Sequence, residues 1–154
     1  MKHFLIKDAK LESEIVTGST TTSGTSTVND RASTSSDPYI SRAGYNSVQV
    51  FCIAATASGS PTITTKLMGA DASTTGATST TTTLASTSDT GVAAGDMTVI
   101  TLDAQNPQGG TFDYVWVQQV FKSGKSVQSV LYVMDAIERP VTQTDVDAST
   151  TVAG

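Results

Sequence analysis

Two long β-prone runs, Phe112 to Lys122 and Ser126 to Ile137, flank the short link Ser123-Gly124-Lys125. No other feature constrains the fold as strongly. Each run carries apolar residues at alternating positions, the period of a strand with one face on a core. A three-residue link containing Gly is a common hairpin connection. Read as a hairpin, the pair sets Lys122 opposite Ser126, Phe121 opposite Val127, Val117 opposite Leu131 and Val115 opposite Val133. One face then holds Val115, Val117, Phe121, Val127, Leu131 and Val133 and is the expected core face. The other holds Tyr114, Trp116, Gln118, Val120, Gln128, Val130, Tyr132 and Met134. A shift of one residue would mix the two sets, so the register is well specified by the pattern.

The same period recurs upstream. Ser47 to Ala57 sets Val48, Val50, Cys52 and Ala54 against Phe51 and Ile53, which predicts a central strand buried on both sides. Ser58-Gly59-Ser60-Pro61 is a turn signal, and Thr62 to Met68 is the next strand, so these two runs also read as a hairpin. Met97 to Leu102 is a clear strand, and Thr80 to Leu84 a weak one inside the Ser/Thr/Gly/Ala tract of residues 69–95. Seven or eight short strands separated by turns predict an all-β fold, a jelly roll or two-sheet β-sandwich with long Ser/Thr-rich loops or arms. Composition agrees: Ser and Thr make up roughly 30% of the 154 residues, and strong helix formers are scarce.

The expected organisation is an N-terminal strand and extended arm over 1–36, a sandwich domain over 37–139 and a polar tail over 140–154. Residues 17–36 hold almost no apolar side chains, and Asp37-Pro38 marks the turn into the domain. A structureless stretch of that length inside a compact domain is uncommon, so the arm is expected to lie over another surface. The N-terminus has too short an apolar run for a signal peptide. No run is long and apolar enough for a membrane helix.

Charge and motif content narrow the function classes. The net charge is −5, and the nine Lys and Arg residues are scattered rather than arranged as a stripe, which argues against nucleic-acid binding. The single histidine, His3, sits near the chain start, a poor platform for a catalytic triad. No phosphate loop and no Cys/His metal spacing occurs. Asp145, Asp147 and Asp71 match no calcium-loop spacing. Asp113 and Asp135 face each other in the hairpin register, the one candidate for a glycosidase-like carboxylate pair; solvated strand ends are the simpler reading. The lone Cys52 reads as a small buried hydrophobe. No catalytic, cofactor-binding or metal site is expected, and the protein reads as non-enzymatic. Tyr114, Trp116, Gln118, Tyr132 and Met134 share the face away from the expected core. Because Tyr, Trp and Met are enriched in protein interfaces, these five are the candidate interface; the second buried side of a central hairpin and a carbohydrate-stacking platform are the alternatives.

The segments Phe112 to Phe121, Ser123-Gly124-Lys125 and Val127 to Asp135 resemble the C-terminal end of capsid cement (decoration) proteins of short-tailed bacteriophages. There a Tyr-led hydrophobic strand, a Gly turn and a final strand ending near an Asp follow one another. Upstream, Val48 to Thr56, Gly59 to Thr64 and Ala93-Ala94-Gly95-Asp96 fall in the order that family shows, so the resemblance spans about residues 45–137. Trp116 and Gln118 stand where the family often has an Arg. The resemblance implies a jelly-roll subunit that self-associates, with a homodimer preferred over a homotrimer. It also implies binding to the major capsid protein on the outer surface of an icosahedral shell, clamping adjacent capsomers. Such a protein is made in the host cytoplasm and resides in the virion, with no nucleic acid, membrane or cofactor as partner. The alternative from another class is a carbohydrate- or receptor-binding β-sandwich domain of a tail or surface adhesin.

Overall fold

A computed structural model describes residues 9–19, 24–31, 39–43, 45–72, 81–103 and 112–136. They form nine strands: β1 (Ala9–Ser19), β2 (Thr25–Asn29), β3 (Ile40–Ser41), β4 (Tyr45–Ser58), β5 (Thr62–Ala70), β6 (Thr81–Asp89), β7 (Met97–Asp103), β8 (Tyr114–Lys122) and β9 (Lys125–Ala136). They build two antiparallel sheets, one ordered β1-β9-β4-β7 and the other β2-β8-β5-β6, with β3 also paired to β8. The sheets pack face to face as a β-sandwich, the fold class the strand pattern predicts.

Both expected hairpins are instead arches. β8 pairs with β2, β3 and β5, whereas β9 pairs with β1 and β4, so the link at Ser123-Gly124 carries the chain from one sheet to the other. The Ser58-to-Pro61 turn does the same between β4 and β5. The two arches nest, since Ser58 pairs with Lys125 in one sheet while Thr62 pairs with Lys122 in the other. Nesting leaves β8 and β9 each flanked on both edges, which satisfies two ladders of backbone groups per strand where an isolated hairpin satisfies one. Close approach of the arches requires glycine at 124: a Cβ there would lie 2.5 Å from the Ser58 carbonyl oxygen. Gly59 meets the other need, a left-handed φ of 76°.

The change from hairpin to arch corrects the facing of one strand. On β8 the inward side chains are Val115, Val117 and Phe121, as expected. On β9 the parity is reversed: Val130, Tyr132 and Met134 are fully buried between the sheets, while Val127, Leu131 and Val133 lie on the outer side and are half-buried. Hairpin partners share a face, and arch partners do not have to, so the cross-strand pairs Phe121/Val127, Val117/Leu131 and Val115/Val133 do not form. Asp113 and Asp135 therefore do not face each other in a ladder.

Other elements follow the pattern. β4 lies between β9 and β7 as a central strand, with Val48, Val50, Cys52 and Ala54 buried. Its outer side is not buried as expected, since Ile53 is exposed and Phe51 half-buried. Ile63, Thr65 and Leu67 of β5 face inward, and the weak strand near Thr80 extends to Asp89 as β6. The described part of residues 1–36 is not a detached arm: β1 is an edge strand of the first sheet, and β2 pairs with β8. The tail over 140–154, His3 and the Asp37-Pro38 turn lie outside the described residues.

Candidate functional site

The structure divides the five expected interface residues between the two sheets. Tyr114, Trp116 and Gln118 occupy the outer side of β8, whereas Tyr132 and Met134 point into the core from β9 and are wholly inaccessible. Trp116 is itself only 3% exposed. The Tyr39 ring, just before β3, lies on it with centroids 3.9 Å apart and planes inclined by 9°. Ala70, Met68 and Tyr114 complete this small cluster. The indole Nε1–H is buried and finds no hydrogen-bond partner among the described residues. Gln118 donates from Nε2 to Asn29 Oδ1 over 3.1 Å, tying β8 to the end of β2.

A polar group bridges the sheets where β2 ends. Asp30 is buried; its Oδ1 accepts the Val117 N–H at 2.9 Å, and its own N–H donates to the Val117 carbonyl at 2.9 Å. Its Oδ2 accepts the Tyr132 hydroxyl from the opposite sheet. Burial raises the Asp30 carboxyl to about 7, against the opposing pull of these hydrogen bonds and of Arg31. Burial, and secondarily the charge of Asp30, push the Cys52 thiol up to about 12, so it sits in the core as an unreactive hydrophobe. Gln119 donates to Thr65 Oγ1 at 3.2 Å, and Gln128 donates to Ser126 Oγ at 2.7 Å. Asp30, Cys52, Gln119 and Gln128 are all buried between the sheets. Among the described residues no group of three His, Cys, Asp or Glu side chains is placed to hold a metal ion. No helix there is long and apolar enough to cross a membrane.

The open surface lies elsewhere, on the outer side of the β1-β9-β4-β7 sheet. One cross-strand row reads Ile15, Ser129, Ile53, Met97; the next reads Ser13, Leu131, Phe51, Val99. Ile15 is 71% exposed, Met97 56%, Val99 46% and Ile53 38%. A further row, Leu11, Val133, Gln49 and Thr101, carries no charge either. Isolated exposed apolar side chains are ordinary, but a contiguous set on one flat face marks a binding surface. Reasoning from sequence missed this face because the four strands are distant in the chain and their order in the sheet is not legible from any one of them. The signal is present in the doubly apolar pattern of Val48 to Ala54, where Phe51 and Ile53 alternate with the buried side chains and lie on the outer side. No protein-family profile and no curated protein matches the chain.

Proposed function

We propose that the protein is a non-enzymatic structural subunit that acts by binding protein surfaces, and that it decorates the outside of an icosahedral bacteriophage capsid. The single observation behind the binding role is the exposed apolar face centred on Ile53, Met97 and Val99. Such a face is costly to leave in water and is covered in the working assembly. The assignment to a capsid, with the major capsid protein as partner and the virion as location, rests on the resemblance to cement proteins of short-tailed phages. A β-sandwich suits that role: the ladders make it rigid, and binding only to the assembled shell stabilises the shell by mass action. The adhesin alternative would use an open aromatic platform, and the Trp116 ring is covered by Tyr39.

The test is to mix the purified protein with phage heads assembled without it and to sediment them. Decoration predicts saturable co-sedimentation and a higher temperature of head disruption. Heads that neither retain the protein nor gain stability would overturn the capsid assignment.

A further inference from the structure

We infer that the arch end of the outer β1-β9-β4-β7 face holds a binding site for an acidic side chain of a partner protein, with Lys125 as its counter-charge. This rests on the reading of the protein as a binding subunit and names the chemistry that this surface selects. A cavity of about 280 Å³ opens there, where β1 and β4 end and β9 begins. Its lining follows the ladder in two outward rows. Ser19, Lys125 and Ser58 form the first, and Thr17, Val127 and Thr56 the second. Gly18 and Ala57 lie between the rows, so every lining side chain except Lys125 is of valine size or smaller. The β4 register shifts between Ala54 and Thr56, at the boundary of the hollow, and such an irregularity bends a strand. Small side chains on three adjacent strands thus leave a hollow, with the nested arches at one end.

The lining specifies the ligand. Lys125 is its one charged residue, and among the described residues no Asp or Glu lines it. In a chain of net charge −5 this is a local positive site with no counter-charge in the hollow. Lys125 is exposed, and so are Ser19, Ser58, Thr17 and Thr56, two hydroxyls on each side of β9. An ammonium offers three donors and each hydroxyl one more, a set that matches a carboxylate, which only accepts. The volume falls below that of a pocket for a drug-sized ligand and suits a single side chain. On the same face, the row that follows Thr17, Val127 and Thr56 is Ile15, Ser129 and Ile53. The hollow therefore runs directly into the exposed apolar face, and a carboxylate on an aliphatic stem, flanked by apolar residues, covers both. An acidic sugar is less well matched, because among the described residues no aromatic ring lines the hollow for a sugar to stack on.

Nuclear magnetic resonance titration of the nitrogen-15-labelled full chain, at constant ionic strength, tests the site. The probes are the blocked tripeptide Val-Glu-Val, its Val-Gln-Val counterpart and glucuronate. Val-Glu-Val should give saturable shifts at the amides of Ser19, Ser58, Lys125 and Ser126, extending to Ile53. Val-Gln-Val should bind about tenfold more weakly, since it keeps the apolar contacts and loses the charge. Lys125→Gln, at an exposed position, should abolish that difference while the amides of the core keep their native shifts. The absence of any saturable shift at the hollow with Val-Glu-Val overturns the proposal. Equal binding of the two peptides to the wild type does so without recourse to a variant, as does a Glu preference that survives Lys125→Gln. Glucuronate bound as tightly as Val-Glu-Val also overturns it, because the site would then read an acidic sugar. Head binding is read separately. A protein that discriminates the peptides and ignores phage heads keeps the site and sinks the capsid assignment. Heads that retain a protein blind to the peptide charge keep the capsid assignment and sink the site.

Discussion

The Tyr132 hydroxyl donates to Asp30 Oδ2 across the sandwich, joining β9 of one sheet to the residue that follows β2 on the other. The carboxylate also accepts the Val117 N–H, so one side chain holds three strands together. Burial raises its proton affinity, from an ordinary value of 3.8 to about 7. In that interval the folded chain holds a proton that the unfolded chain has released. This contribution to stability is therefore fully present below about 4, declines as pH rises to about 7 and is absent above it. A rise of this size corresponds to about 4 kcal/mol between those limits. Asp30→Asn keeps an acceptor for the Val117 N–H and removes the titration. Urea unfolding of both proteins from pH 4.5 to 8 should show the wild type losing stability relative to Asp30→Asn as pH rises. A difference independent of pH would contradict the assignment.

Gly18 on β1 faces inward, and a Cβ there would lie 2.1 Å from the Phe121 ring. Gly18→Ala should therefore overpack the core and lower stability by about 1–3 kcal/mol. Phe121→Leu removes part of the obstruction, so the two changes together should cost less than their sum. Additive losses in chemical denaturation would mean that the ring moves aside freely.

The reversed facing of β9 separates two leucines that sequence alone does not distinguish. Leu67→Ala opens a cavity at a fully buried position and should cost about 2–5 kcal/mol. Leu131→Ala, on the outer side, should cost less than half as much when unfolding is followed in dilute protein. Equal losses would place Leu131 back in the core. Strand positions and the inward side of β8 were legible because alternation is a local signal that burial enforces. The facing of β9 was not, because Val127, Leu131 and Val133 compete with Val130, Tyr132 and Met134 for the apolar parity. That choice is made by partners half a chain length or more away, such as Val16 on β1 and Val50 on β4. Asp30 was illegible for the same reason: a lone acid after Val28-Asn29 resembles any loop carboxylate until Tyr132 is brought to it.

Trp116 is the only tryptophan, so its surroundings can be followed by fluorescence without interference. The Tyr39 ring stacked on it excludes water from one side of the indole, and β8 with its neighbours covers the rest. Native emission should be blue-shifted, and Tyr39→Ala should move it to the red while β8 stays in place between β2 and β5. Trp116→Ala removes a large buried side chain and should cost about 3–5 kcal/mol. The double variant Trp116→Ala/Tyr39→Ala should reveal a coupling of about 0.5–1.5 kcal/mol from the stack. Because this cluster lies on the sheet opposite the exposed apolar face, Tyr39→Ala should leave binding through that face unchanged. A native emission maximum at the position of free indole in water would show that the ring is open to solvent, and would return Trp116 to the set of candidate contact residues.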